Sequence, residues 1–326
     1  MPPIGSAYLQ DDAALLTTVT GNPVSKGLTM QFILEQSINA LQMGVTLFLV
    51  ASGLTLVFGV MNIANMAHGS FYMLGAYSFR SVVSETGSYG LGLLAAATAG
   101  ALVGALVEIS IIRRLYGRSL LDQVIATFGL ILVANAAVAV VWGVNSPPLK
   151  LPAWISHSVE ITQGFSYPAT RLAILVVGLV CALALFLVIS KTRIGMLVRA
   201  GATHREFLPA FGVNIQSLYT AMFAGGAALA AIAGAVTSPV TPVQIGMGET
   251  ILVPVLIVLV IGGMGSIRGA LVAALLVAFA DTFGRVYLPR VAGLMFSTDT
   301  AASVGASAAA LSIFALMIGI LLMRKV

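Results

Sequence analysis

Two stretches of the chain combine small and polar residues inside otherwise apolar sequence, and they hold the side chains best suited to contact a polar solute. The first, residues 53–77, carries Asn62, Asn65 and His68 at three-residue steps, followed by Gly69. Residues three apart share a face if the stretch is helical. We interpret these four residues as candidates for lining a substrate pathway. The alternative is that they hydrogen-bond to neighbouring helices, and the sequence leaves both interpretations open.

The second stretch, residues 254–270, is an apolar run that is broken by glycines. Its candidate pathway residues are Gly262, Gly263, Gly265 and Ser266. Glycine permits close backbone approach or a positive φ, so we predict a break in the helix here. The glycines superficially resemble a phosphate-binding loop, but the chain contains no GxxxxGK[ST] sequence. A nucleotide site of that kind is therefore excluded.

A third feature is the basic segment 191–214, which is long enough for a short amphipathic helix. Pro209 would end or kink such a helix. Phe207, Leu208 and Phe211 would form an apolar face. This face suits either docking of a cytoplasmic partner or a position at the lipid interface, and both interpretations remain open.

The chain offers little for catalysis, metal binding or nucleic-acid binding. It lacks a Ser/His/Asp, paired-Asp or HExxH constellation, so we expect no catalytic residues. His68 has no second His, Cys or carboxylate at ligand spacing, and Cys181 is the only cysteine, so we expect no metal and no cofactor. The net charge of +5 comes from residues in short loops, which does not indicate nucleic-acid binding.

The elements that hold these segments are membrane-spanning helices. Of the 326 residues, 59% are hydrophobic and only 8% are charged, far from the composition of soluble domains. Apolar runs of about 20 residues suffice to cross a bilayer as helices. We predict an all-α, polytopic transmembrane bundle of about 8–9 crossings with two Gly-broken segments. The candidate crossings are 37–60, 69–83, 89–112, 123–142, 172–189, 217–239, 250–261, 269–284 and 303–323.

The organisation along the chain is simple. Residues 1–30 are polar, with Gly, Pro, Ser and Thr, and are predicted to form a disordered N-terminal extension. Residues 31–326 form one transmembrane domain. Broken apolar segments in both halves are typical of transporters built from repeated halves. We expect the connection 143–170, with its prolines and aromatics, to be ordered by turns rather than by a helix.

Basic residues predict the orientation of the bundle, because cytoplasmic loops are enriched in Lys and Arg. Alternating crossings with the N-terminus outside and the C-terminus cytoplasmic place ten of the 16 basic residues inside. These are Arg113, Arg114, Arg118, Lys191, Arg193, Arg199, Arg205, Arg268, Arg324 and Lys325. We therefore expect N-terminus outside and C-terminus inside.

Two acids lie in or near apolar runs, where a charge is costly unless it is paired. Glu108 is within reach of Arg113 and Arg114, which favours a structural pair. Asp281 either pairs with Arg285 at i,i+4 or faces the pathway. In a rival hypothesis the chain is a proton-coupled secondary transporter, and these carboxylates carry the proton.

Several motifs resemble one family. Residues 53–61, followed by Asn65, His68, Gly69 and the sequence 73–77, look like the signature of branched-chain amino acid ABC transporter permeases of the Liv type. The late segment 261–270 resembles that family's glycine motif. Residues 199–214 resemble its cytoplasmic coupling loop. The residues carried over to that loop are Arg199, Ala200, Glu206, Phe207, Phe211, Gly212 and Asn214.

The resemblance implies a permease subunit of an ATP-driven importer in the bacterial plasma (inner) membrane. Its partners would be a second homologous permease subunit, two cytoplasmic ATP-binding subunits and an extracytoplasmic solute-binding protein, and ATP hydrolysis would occur on the partners. The implied cargo is a branched-chain amino acid or a related small polar solute. The variant Asn65-Met66 is also similar to urea-importing relatives, so urea or an amide is the alternative. Thr203 and His204 stand where family members often carry acids.

Overall fold

The computed structural model describes residues 23–144, 149, 151–162, 165–204 and 212–323. The α-helices in these ranges are α1 (Pro23–Met61), α2 (His68–Thr86), α3 (Tyr89–Ser110), α4 (Leu120–Trp142), α5 (Ala153–Ser156), α6 (Ala169–Lys191), α7 (Arg193–His204), α8 (Ile215–Thr237), α9 (Met247–Gly262), α10 (Ile267–Ala292) and α11 (Thr298–Met323). A 3₁₀ turn, Ile112–Leu115, follows α3. Two strands, β1 (Ser158–Thr162) and β2 (Phe165–Pro168), precede α6.

Each of the nine predicted crossings corresponds to one helix, so the predicted fold class is confirmed. Among the described residues, seven helices are long and apolar enough to span a membrane, and α9 is a shorter apolar helix. The other predicted crossing, 69–83, is the 19-residue α2. Residues 1–22 lie outside the described part of the chain, and α1 begins at Pro23, within the predicted N-terminal extension.

Local sequence sets several helix starts. Ser119 and Asp122 form a capping box at the start of α4, which satisfies N–H groups that have no partner in the helix. The Asn214 side chain accepts a hydrogen bond from the Ser217 N–H at the start of α8, and the Ser88 hydroxyl accepts one from the Leu91 N–H in α3. These caps fix where the spans begin.

The core of the bundle is formed by α1, α2, α8 and α9. In the most apolar windows of α1 and α8, 78% and 61% of the residues are buried, compared with 17% in α4 and 11% in α11. Helix α8 packs against α1, α2 and α3, and α10 packs against α1 and α11. The outer faces of α3, α4, α6 and α11 expose large apolar side chains, as expected where lipid or another subunit covers the protein.

The connection between α4 and α6 is more ordered than predicted. It contains the short helix α5, and β1 pairs antiparallel with β2 in a two-stranded hairpin. The prediction that no helix occurs here was wrong, because Ala153–Ser156 form one helical turn, and the pairing of β1 with β2 was not predicted. Tyr167 donates a hydrogen bond to the Asn39 side-chain oxygen on α1, over 2.7 Å. The hairpin is thereby attached to the bundle.

Candidate functional site

The two interrupted crossings lie against each other. A Cβ on Gly59 would come within 2.4 Å of the Gly265 Cα, and a Cβ on Gly69 would come within 2.1 Å of the Gly248 carbonyl oxygen. Only glycine allows two backbones this close. The sequence predicted each break separately, and in the structure the helices that flank the first break, α1 and α2, contact the glycine turn and α9 respectively.

The first interruption is a stretch of non-helical backbone that runs back along α1. Helix α1 ends at Met61 and α2 begins at His68, yet the His68 ring nitrogen Nε2 donates to the Val50 carbonyl over 3.1 Å. Val50 lies about three turns, or roughly 16 Å, before the end of α1. The start of α2 therefore lies beside the middle of α1, and residues 62–67 return along α1 without helical structure.

Because this stretch is not helical, its polar residues do not share a helix face, contrary to the pattern that their spacing suggested. Asn62 has a positive φ of 53° and is exposed. Asn65 is 3% exposed, its side-chain oxygen accepts the Ala67 N–H, and its Nδ2 has no partner among the described residues. His68 is 1% exposed and bonded to α1. The interpretation of helix bridging therefore fits His68.

Helix α4 supplies partners for the non-helical backbone. The Gln123 side-chain oxygen accepts from the Ala64 N–H over 3.1 Å, and the Thr127 hydroxyl accepts from the Met66 N–H over 3.2 Å. Backbone that leaves helical geometry in a membrane requires such partners. The sequence analysis missed both side chains, although a Gln and a Thr at i,i+4 on an apolar helix are a usable signal.

We expect Thr127→Val to weaken this support. The variant removes the acceptor of the Met66 N–H at nearly constant side-chain volume, and a buried donor without a partner costs about 1–3 kcal/mol. Thermal unfolding of the purified protein should show a lower midpoint. The matched control is Thr98→Val in α3, whose exposed hydroxyl bonds only within its own helix. Equal midpoints for the two variants would contradict the assigned role.

The second interruption is a glycine turn between α9 and α10. Gly263 and Gly265 have φ values of 83° and 87°, which lie in the left-handed region that glycine adopts without strain. Gly262 packs directly on Gly269, where a Cβ would come within 2.6 Å of its carbonyl carbon. The Ser266 hydroxyl accepts from the Gly269 N–H over 3.0 Å and so caps α10. The predicted break is present: Gly262 is the last residue of α9, and Gly263, Gly265 and Ser266 lie in the turn.

A cavity of about 290 Å³ adjoins this turn. Gly59, Gly265, Ser266 and Arg199 contribute to its lining, so it joins residues from α1, from the glycine turn and from α7. Asn62, Asn65 and His68 are not among the described residues that line it. Of the predicted pathway residues, Gly265 and Ser266 line this cavity, whereas Gly69 lies at the contact of α2 with α9.

The two buried acids are paired. Arg113 donates to both Glu108 oxygens, at 3.2 and 2.9 Å, and Thr220 of α8 donates to Glu108 over 2.6 Å. The Tyr116 hydroxyl also donates to Glu108, and burial together with this carboxylate raises the Tyr116 pKa above its usual value. The predicted structural pair of Glu108 with Arg113 is confirmed.

Asp281 and Arg285 form an i,i+4 pair within α10. The Arg285 Nε donates to Asp281 Oδ2 over 2.8 Å, and Asp281 is only 3% exposed. Its other oxygen has no partner among the described residues. The pairing that the spacing allowed is present. No group of three or more metal-ligating side chains occurs in the described part of the chain.

The proposed coupling segment is described only in part. The predicted short helix is present as α7, and it carries Arg199 and Ala200. Gly212 has a φ of 74°, and Asn214 caps α8. The remaining predicted residues, Glu206, Phe207 and Phe211, lie outside the described residues, as do Leu208 and Pro209.

Comparison with known proteins gives consistent matches. The family described as "Branched-chain amino acid transport system / permease component" matches residues 37–323. The permease protein BraD of Pseudomonas aeruginosa is 30% identical over 263 residues, which cover 77% of this chain and 86% of BraD. LivH of Escherichia coli K12 is 28% identical over 278 residues, which cover 79% of this chain and 87% of LivH. Both names describe a high-affinity branched-chain amino acid transport system. No solved structure matches the chain.

Proposed function

The chain belongs to the family of permease components of branched-chain amino acid transport systems, and from this premise we propose that it translocates branched-chain amino acids by alternating access. It is a multi-pass membrane protein, and a permease component of this kind lacks catalytic activity itself. Membership of a transport system implies further subunits. We propose two cytoplasmic ATPases, a second homologous permease and an extracytoplasmic solute-binding protein as these partners.

The observation that carries the proposal is the contact between the two interrupted crossings. Gly69 of α2 meets Gly248 of α9, and Gly59 of α1 meets Gly265 of the glycine turn, so the helices on either side of the first break are in backbone contact with the second interrupted crossing. Transporters place irregular backbone at membrane depth where it lines the substrate path. Contacts between glycine backbones have no side chains to interlock, and they allow one segment to shift along the other.

Cytoplasmic force would reach these breaks through α7 and the segment that follows it. Arg199 lines the same cavity as Gly59 and Gly265, and this position of α7 beside the end of α1 and the glycine turn supports the proposal. When the ATPases close, displacement of residues 199–214 would shift α7 against the ends of α1 and α10, and the breaks would open one side at a time. The N-terminus outside, the C-terminus cytoplasmic and a bacterial plasma membrane location are part of this proposal, supported by the basic loops.

The proton-coupled alternative requires a carboxylate that is free to exchange its proton. Glu108 accepts four hydrogen bonds from three side chains, and Asp281 is paired with Arg285. Fixed ion pairs of this kind support a structural role over a relay. ATP-driven transport is therefore the hypothesis that we retain.

Uptake into proteoliposomes tests the proposal. We expect radiolabelled leucine, isoleucine or valine to accumulate only with ATP and the solute-binding protein, and to stop when the partner ATPase is inactivated while a proton gradient is maintained. Supplying urea in the same assay tests the alternative that the transported solute is urea or an amide. Uptake that continues without ATP hydrolysis would refute the ATP-driven mechanism. ATP-dependent uptake of urea but not of leucine would overturn the substrate assignment alone.

A further inference from the structure

Glu249 is a carboxylate inside the membrane-spanning region that remains accessible from the surface. It lies in the first turn of α9, next to Gly248, and Gly248 contacts Gly69 at the start of α2. Gly248 is roughly 21 Å along α9 from the last residue of the helix, Gly262, which lies beside the end of α1. Because the hydrocarbon core is about 30 Å thick, Glu249 lies within it, and its side chain is partly exposed.

The surroundings of Glu249 leave its negative charge available to a ligand. The Asn135 side chain of α4 donates to Glu249 Oε1 over 2.8 Å, and no Lys, Arg or His of the described residues forms an ion pair with Glu249. The dipole of α9 favours an acid in the first turn, but it supplies only part of a unit charge. Since a partly exposed carboxylate at this depth is too costly against lipid, this side of α9 faces the substrate path or another subunit.

An apolar strip continues from Glu249 along the accessible side of α9. Val253 and Val260 follow Glu249 at i+4 and i+11, on the same face of the helix, and they are 46% and 39% exposed. Leu256 lies between them at i+7 and is also partly exposed. Small aliphatic side chains gain from contact with such a surface. The same helix face thus combines one negative charge with an aliphatic wall.

The start of α2 provides a hydrogen-bond donor that lacks an acceptor. The Asn65 side-chain oxygen accepts from the Ala67 N–H over 3.0 Å, which holds the amide group at the N-terminus of α2. The Asn65 Nδ2 has no partner among the described residues. Helix N-termini with donors of this kind favour an anion such as a carboxylate. Because Asn65 is 3% exposed, a solute reaches its Nδ2 only after residues 62–67 shift, as alternating access requires.

These groups match the three parts of a zwitterionic aliphatic amino acid. We propose that Glu249 binds the ammonium group of the translocated amino acid, with the carboxylate directed to the start of α2 and the side chain along Val253. Asn135 is a positioning residue that orients the Glu249 carboxylate. Urea has no cationic group, so this site favours an amino acid. The inference rests on the proposed function, since it names the residue that recognises the proposed solute.

Binding of radiolabelled leucine to the purified transporter complex, without the solute-binding protein, tests the assignment. Glu249→Gln keeps the size of the side chain and an acceptor for Asn135. We expect this variant to bind leucine roughly 10–100-fold more weakly, as for the loss of a hydrogen bond to a charged group. The matched control is Glu85→Gln, which removes the same charge from an exposed acid near the end of α2 and should bind leucine with unchanged affinity.

Competition by two leucine analogues distinguishes recognition of the ammonium group from a structural role of Glu249. Isoamylamine lacks the carboxylate of leucine, and isocaproate lacks the ammonium group. We expect isoamylamine to displace leucine from the unchanged complex better than isocaproate does, and Glu249→Gln to abolish this preference. Glu249→Asp keeps the charge and should keep the preference. Because the preference is a ratio within one variant, a smaller amount of folded protein does not alter it.

The outcomes separate failure of this assignment from failure of the proposed function. Loss of the preference in Glu249→Gln with retention in Glu249→Asp supports the assignment. Equal leucine affinity in Glu249→Gln and Glu85→Gln, or equal competition by the two analogues in the unchanged complex, overturns it and leaves leucine as the substrate. ATP-dependent leucine uptake by a complex that does not itself bind leucine also overturns it. ATP-dependent uptake of urea without binding or uptake of leucine overturns the proposed substrate.

Discussion

Replacing Gly69 by alanine should abolish transport. The added Cβ would lie 2.1 Å from the Gly248 carbonyl oxygen and 2.8 Å from its carbonyl carbon. Neither neighbour is a flexible side chain, so α2 and α9 must separate, and overpacking of this kind costs about 1–3 kcal/mol or more. In an ordinary helix, replacing Gly by Ala stabilises the helix by roughly 0.5–1 kcal/mol. A loss of transport would therefore result from the lost contact between α2 and α9 and not from a change in helix propensity. The measurement is leucine uptake normalised to the amount of inserted protein.

Gly225→Ala is the matched control for this experiment. Gly225 lies in α8, one of the central helices, and a Cβ there meets nothing within 4 Å. It should transport as the unchanged protein does. Gly248→Ala should repeat the defect, because its Cβ would lie 2.5 Å from the Gly69 carbonyl oxygen. If Gly69→Ala transports as well as Gly225→Ala, the contact between α2 and α9 has no functional importance.

The membrane-spanning helices were predictable because each is specified by its own sequence. An apolar run of sufficient length must form a helix in lipid, since no water is present to satisfy its backbone. The helix caps by Ser88, Ser119 and Asn214 are also local. The predicted span 217–239 and the observed Ile215–Thr237 differ by two residues at each end for this reason.

The conformation of the first interruption was not predictable from local sequence. The spacing of Asn62, Asn65 and His68 fits a helix as well as it fits a break. What stabilises the non-helical backbone is Gln123, whose side chain bonds to Ala64, 59 positions earlier. Contacts at this separation depend on the assembled bundle. Gln123 and Thr127 of α4 are evident as polar residues in the sequence, but no local pattern indicates that they bond to the backbone of the break.

The glycine motifs also show that local sequence predicts local conformation but not contacts between distant segments. Positive φ at Gly263 and Gly265 follows from a local turn, and the sequence predicted a break there. The approach of Gly265 to Gly59 joins positions that are more than 200 residues apart. The sequence therefore predicted where the backbone is irregular. The packing of α1, α2 and α9 determines which parts of the two interrupted crossings contact each other.

Glu108→Gln should strongly destabilise the protein, since Glu108 links α3 to α8 and to the loop that follows α3. Glu108 is 0% exposed and its partner Arg113 is 29% exposed in their side chains. Removing one member of a buried ion pair costs about 3 kcal/mol, at the lower end of the known range because Arg113 reaches solvent. The midpoint of thermal unfolding should fall clearly, and Glu85→Gln, at an exposed acid, should leave it unchanged.

The double variant Glu108→Gln with Arg113→Gln tests whether the two side chains stabilise the protein as a pair or independently of each other. With both charges absent, no charge is left without a counter-ion, so the double variant should be less destabilised than the sum of the single variants. Additive losses would show that the two side chains contribute independently. If the network also transmits movement from the loop after α3 to α8 through Thr220, the double variant should retain its fold and still transport more slowly. Restored stability with a full transport rate would limit Glu108 to a structural role.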